Sequence, residues 1–503
     1  MKIRQLIVLL LLTACAPSVA QLALPTPTRL PGPTPAPAPE WADLSPYRAA
    51  MRPDFAHEVD QFAQATQYRI DLRVDSNLRL IDGRQKVHYV NAETAPLNEV
   101  YFRVFPNTRS YGGQATITTL RVNGAPVEPQ FELGNSALRI DLNPPLPPGG
   151  AVDFDLGYVV TIPATAIAAG YNQFGYYRDV LALPNVYPMI PAYDDEGWNV
   201  EIAPGYGDAV YSDTALYQVA ITAPSDQVVV ASGACEVSDG GGQTKTWRCA
   251  SGPMRDFMIA MSAAYQVEST VVDGVTLNSY FLEKDAEAGR RGLRQAADAL
   301  RSFQKRIGAY PFAELDLLET PTAAGGIEYP GLIVVAESLY EGSRTFQEVA
   351  TAHEVAHQWW YSLVGNDQVD EPWLDEALTQ YTTSLYYRDA HGEGAAQTLI
   401  DQDFGGRYRR AQDRGEDSRA DLPVARYSGA QYSGIVYGKA ALFFDALHRE
   451  LGDEKFDAFL RAYFDAHRYG VARGDDLIDA AAAQLDRAVV DELLREWITT
   501  PEP

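Results

Sequence analysis

Between about residues 55 and 265 the chain alternates apolar and polar positions with a period of two. Tyr68, Ile70, Leu72 and Val74 alternate with Arg69, Asp71 and Arg73, and Val100, Phe102 and Val104 alternate with Tyr101 and Arg103. That period puts successive side chains on opposite faces of a strand. With Gly, Pro and Asn bounding the runs, it predicts an antiparallel β domain with one covered face. After about residue 267 the period changes. Leu293, Ala296, Ala297 and Leu300 fall on one stripe of a helix predicted from Ala286 to Arg306. Residues 315–318 and 332–335 read as short strands, and from Thr345 the chain is mostly helical. Residues 346–349 and 359–363 fit a continuous buried helix around residues 353–357.

The 503 residues exceed one ordinary core and suit two or three domains. The net charge of -26 repels phosphate backbones, which excludes a nucleic-acid partner; it is read as solubility alone. At the N-terminus Lys2 and Arg4 precede the apolar run from Leu6 to Leu12, too short to span a bilayer, and residues 1–14 read as a signal peptide. The segment Leu12-Thr13-Ala14-Cys15 resembles a bacterial lipobox, which implies cleavage before Cys15 and lipid on its thiol; the alternative is a soluble secreted chain. Residues 15–50 read as a tether, Pro-rich from Pro17 to Pro39 and extended. Cys235 and Cys249 remain, an even pair that in an exported protein suggests a disulfide, with two free thiols as the alternative.

The sharpest chemistry lies in His353-Glu354-Val355-Ala356-His357. Positions i and i+4 share a helix face, so two imidazoles there can hold one Zn²⁺ with Glu354 beside them. A third ligand is expected. Glu376 offers it from a second helix opened by Pro372, with eighteen residues between it and His357. Residues 364–367 let the chain reverse between the two helices. Asp375 reads as a surface carboxylate or, less directly, as a group that orients a ligand. His57, His88, His391, His448 and His467 show no ligand spacing.

HExxH, eighteen residues, then Glu resembles the M1 aminopeptidases, which are gluzincins; HEVAHQWW and WLDEALTQY match both halves of that signature. Gly325-Gly326-Ile327-Glu328-Tyr329 is similar to the family's exopeptidase motif, with Ile327 and Tyr329 departing from its commonest form. Val436-Tyr437-Gly438-Lys439 resembles its catalytic-tyrosine segment. The resemblance implies a multi-domain α+β fold: a saddle-like antiparallel β domain at 51–266, then a thermolysin-like, mainly helical catalytic domain at 267–503. The closing C-terminal helical domain of many members is not expected. It implies one Zn²⁺ per chain held by His353, His357 and Glu376, Glu354 as general base, and Tyr437 stabilising the oxyanion. Glu328 would bind the substrate's α-ammonium while Gly325 and Gly326 lie along the peptide. The partners are then peptides with a free N-terminus and a membrane reached through the lipid, with the catalytic domain outside the cytoplasm. The family's β-domain group for the substrate amine is expected near residues 182–188. The rival readings are a thermolysin-like endopeptidase, which would not need Glu328, and a catalytically silent binding protein on the same fold.

Overall fold

The computed structural model describes residues 40–165, 171, 173–202, 204–239 and 242–500. The signal peptide, Cys15 and the Pro-rich run to Pro39 lie outside the described residues. The described residues from Trp41 onward form one compact unit.

Its first half is built on an eight-stranded sheet. The central strands Gln67–Val74, Leu80–Val90 and Ala151–Thr161 are paired antiparallel, and Leu216–Pro224 lies on the other side of Gln67–Val74. Tyr68, Ile70, Leu72 and Val74 are buried, as the alternation predicts. They share a core with Val100, Phe102 and Ile140 of a three-stranded sheet, where Phe102 meets Phe154 edge-on at 5.1 Å. The half is not wholly antiparallel. Gln67–Val74 and Leu216–Pro224 pair in parallel, because the long intervening chain connects them as a crossover rather than a hairpin. Cys235 and Cys249 face each other across the hairpin Ala234–Asp239/Thr244–Ala250 and are bonded.

Sheet membership changes between Ser262 and Tyr265. The second sheet runs Tyr265–Val272, Val275–Leu282, Glu314–Thr320, Leu332–Ala336, Gly326–Ile327, with the middle pairs parallel and the last antiparallel. The helix Ala286–Arg306 crosses it, burying Leu293, Ala296, Ala297 and Leu300 as the stripe predicts. Near-continuous apolar strands such as Leu332–Ala336, buried at every position, follow from cover on both faces.

Residues 44–62 belong to this second core. Leu44, Tyr47, Met51 and Val59 pack with Val272, Val275 and Phe312. Met51 bridges Phe312, the Arg52 amide donates to the Pro311 carbonyl at 2.9 Å, and the Ala313 amide donates to Ala50 at 2.8 Å. The chain expected as tether up to residue 50 is therefore packed from Leu44 onward, since Leu44, Tyr47 and Met51 are apolar enough to be buried.

The continuous buried helix expected around residues 353–357 is corrected at both ends. The helix runs Arg344–Ala356 and stops at His357. Residues 359–363 turn instead, because the Ser362 amide returns to the His357 carbonyl at 3.0 Å and Tyr361 takes φ 124°. Trp359, Trp360 and Leu363 are buried, but not as helix. At the other end Phe346 is 66% exposed.

Candidate functional site

The helix Arg344–Ala356 and the helix Trp373–His391 meet at their chemically dense ends. Glu376 lies in the first turn of the second helix and faces the last turn of the first. Its Oε2 is 3.3 Å from His353 Nε2 and 3.4 Å from His357 Nε2, and the two imidazole Nε2 atoms are 3.1 Å apart. One donor atom from each of these three residues lies within 4.8 Å of the others. The turn after Ala356 has a purpose here: it brings the Trp360 carbonyl to His357 Nδ1 at 2.9 Å, with the Thr379 hydroxyl at 3.2 Å. An Nδ1–H donated to that carbonyl leaves Nε2 as the lone-pair nitrogen aimed at the cluster.

Two imidazole nitrogens and one carboxylate form a donor set that fits zinc and leaves room for substrate. The electrostatics agree with a site made for a cation. Burial and the Glu328 and Glu376 carboxylates push Glu354 well above the usual carboxylate range, with His357 opposing them. Burial opposes charge on His357, yet Glu328, Glu376 and Glu354 raise it well above its ordinary value. Burial also works to raise Glu376, but contacts with His353 and His357 outweigh it and hold this carboxyl low.

The Glu328 carboxylate is buried on the turn that follows Gly326–Ile327, the edge strand of the second sheet. Gln358, the residue after His357, holds that turn: its Nε2 donates to the Tyr329 carbonyl at 3.2 Å and its Oε1 accepts from the Gly331 amide at 2.9 Å. Gly326 rests directly on Glu354; a Cβ there would come within 2.2 Å of Oε1, so only glycine lets strand and carboxylate approach. Gly325 has open space where a side chain would stand. Tyr437 sits in a wide π-type turn, Ile435–Lys439, and its hydroxyl donates to Glu376 Oε1.

The structure thus brings together His353, Glu354, His357, Glu376, Glu328, Gly325, Gly326 and Tyr437 around one cavity of about 390 Å³. Cys235 and Cys249 lie on a separate hairpin. Asp375, expected at the surface, is buried. Gln368 Nε2 donates to its Oδ2 at 2.7 Å and to Glu328 Oε1 at 3.3 Å, which links the Glu328 end of the cavity to the second helix.

The first half reaches the cavity through residues that no motif marked. Tyr171, Gln173, Tyr206 and Asp208 line it, whereas Leu183, Val186 and Tyr187 of the segment expected there are fully buried in the β core. Tyr171 is stitched to the edge-strand loop, accepting from the Thr322 hydroxyl at 2.7 Å and the Ala323 amide at 2.8 Å. Beyond Glu328 a side cavity of about 40 Å³ is lined by Asp208, Asp256 and Gln368; Tyr361 donates its hydroxyl to Asp256 Oδ2. Loop residues of this kind carry no periodicity or spacing, so only chain folding reveals them.

Residues 292–497 match the family described as the peptidase family M1 domain. Over 297 residues the chain is 26% identical to aminopeptidase M1 of Arabidopsis thaliana, covering 56% of this chain and 34% of that protein. Over 224 residues it is 31% identical to human aminopeptidase B, covering 40% of this chain and 33% of that protein. The chain spans about a third of the length of these curated relatives. Among solved structures, an M1 zinc metallopeptidase from Deinococcus radiodurans superposes with a TM-score of 0.63 at 19% identity, covering 88% of this chain and 96% of that one. A mutant of that protein bound to a Tyr-Ser-Ala substrate gives 0.64 at 19% identity, with 88% and 97% covered. At that identity the likeness is one of fold.

Proposed function

We propose that this chain, which carries a peptidase family M1 domain over residues 292–497, is a zinc-dependent aminopeptidase that releases N-terminal residues from peptides. The observation that carries the reading is the buried Glu328 carboxylate, set at the end of the edge strand beside the His353–His357–Glu376 cluster. One zinc per chain would be held by those three residues. When bound, it supplies Lewis acidity that polarises the scissile carbonyl and makes a water at the site acidic enough to attack near neutral pH.

The side chains perform the rest. Glu354, its carboxyl raised by burial, takes the attacking water's proton and passes it to the leaving amine. The Tyr437 hydroxyl donates to the developing oxyanion. Glu328 accepts hydrogen bonds from the α-ammonium, and so the cleaved bond is counted from the N-terminus. Gly325 and Gly326 leave the peptide free to lie close to the strand.

A charge-assisted hydrogen bond contributes roughly 1.5–3 kcal/mol, about ten- to a hundredfold in affinity. Glu328→Ala is therefore expected to lower kcat/KM on free-amine peptides by that factor and to narrow the gap to their N-acetylated forms, with Glu328→Gln between. Kinetics on matched peptide pairs, with zinc content checked, decide it. Equal rates on free and acetylated peptides in the wild type would transfer the chain to the endopeptidase reading.

The chain is further proposed to act outside the cytoplasm, held at a membrane by lipid on Cys15. The Cys235–Cys249 bond supports an oxidising compartment. Intact-mass analysis of the membrane fraction should find a chain that starts at Cys15 and carries acyl mass; a mature chain without it would overturn the anchor.

A further inference from the structure

We infer that the cavity continues past the scissile bond onto an apolar shelf, formed by Leu339, Phe346, Val349 and Ala350, that binds an apolar side chain two or three residues downstream of the cleaved bond. The inference rests on the aminopeptidase reading and extends it to the far side of the site.

The direction of the substrate follows from the backbone. Gly326–Ile327 is the last strand of its sheet, so its outer edge has no strand partner among the described residues. An extended peptide can add there as a further strand. Its N-terminus is fixed at Glu328, and the rest must run back past Gly326 and Gly325. The partner strand pairs Gly326 with Val335 and brings the Ala336 amide to the Gly325 carbonyl at 3.0 Å. Leu339 comes three residues after Ala336, in the short helix Glu337–Tyr340, and so lies beyond Gly325, on the downstream side.

The helix Arg344–Ala356 gives the same direction independently. Glu354, in its last turn, lies against Gly326, and Gln358, just past its C-terminal end, contacts the Glu328 carbonyl through Nε2 at 3.4 Å. Helix and edge strand therefore run side by side in the same sense. Residues 346, 349, 350, 353, 354 and 357 share one face at helical spacing. The C-terminal half of that face carries His353, Glu354 and His357; the N-terminal half carries Phe346, Val349 and Ala350, and all six line the cavity. At about 1.5 Å per residue Ala350 and Phe346 lie roughly 6 and 12 Å upstream of Glu354 along the axis, equal to about two and about four residues of extended peptide, so the shelf spans the second and third positions past the cleaved bond.

The shelf is exposed where the opposite face of the same helix is buried. Gln347, Thr351, Ala352 and Val355 pack inward, while Phe346 is 66% exposed and Val349 and Ala350 are half-buried. A phenyl ring in the mouth of a substrate cavity, in line with the edge strand, is the surface that a downstream apolar side chain covers.

Tetrapeptides Ala-Ala-Leu-Ala and Ala-Ala-Ala-Leu, compared with their Ser counterparts, test it. The wild type is expected to favour Leu about tenfold in kcat/KM, mostly through KM. Phe346→Ser should bring that ratio close to one, and Phe346→Leu should keep most of it; the position is exposed, so folding is not at stake. Equal turnover of Leu and Ser peptides by the wild type, or an unchanged ratio in Phe346→Ser, overturns the shelf and leaves the aminopeptidase reading standing. No cleavage of any free-amine tetrapeptide by the zinc-loaded protein overturns that reading, and the shelf with it.

Discussion

Glu354→Gln is expected to reduce peptide hydrolysis by about 10³–10⁴-fold with zinc content unchanged, the span general-base catalysis reaches at its upper end. Glutamine has the same shape, so the contact with Gly326 is kept and no cavity opens. The three ligand side chains are untouched. What is lost is a carboxylate whose proton affinity burial and the nearby Glu328 and Glu376 have raised. An amide cannot accept a proton from water near neutral pH, so the loss falls on kcat rather than KM. Metal analysis beside single-turnover kinetics makes the comparison clean. Turnover within tenfold of wild type at full zinc would remove Glu354 from the reaction.

Glu376→Ala should fail differently. Losing a group that only supports a ligand costs metal affinity roughly 10–100-fold, and losing the ligand itself should exceed that. Two imidazoles then remain to hold the cation, and the Tyr437 hydroxyl loses its acceptor. Zinc should wash out on dialysis and activity with it, and excess zinc should restore part of the activity. No amount of zinc should rescue Glu354→Gln. Full occupancy after dialysis against a mild chelator would exclude Glu376 as a ligand.

What was legible in the chain is what chemistry ties to spacing. Two histidines one helical turn apart, and a carboxylate at the start of the next helix, must be written at regular intervals because helices place them. The stripe of Leu293, Ala296, Ala297 and Leu300 and the alternation around Ile70 were legible for the same reason. The end of the helix at Ala356 was not. Residues 359–363 are mostly apolar because they are buried, and burial without periodicity cannot separate helix from turn. Asp375 was misplaced at the surface because its partner, Gln368, lies in the connecting loop. Tyr171, Gln173 and Asp208 reach the cavity from the β half through long-range loops, which local pattern does not encode. The Gly-Gly pair was legible as a motif, but its reason was not: only the fold shows Glu354 resting against Gly326.

The packing of residues 44–62 against the second core has a consequence for biosynthesis. Met51 finds its partner in Phe312, which leaves the ribosome 261 residues later. At about 5–20 residues per second, that is a delay of roughly ten to fifty seconds. The β core of Tyr68, Phe102 and Tyr217 can close within that interval from its own residues, since none of them needs the second sheet. Met51 cannot. Tyr47 can already bond Gln67 and Gln218 of the β half, but the cover that Phe312 gives Met51 comes only after residue 312 has emerged, and until then that part of the stretch stays open to a chaperone or a protease.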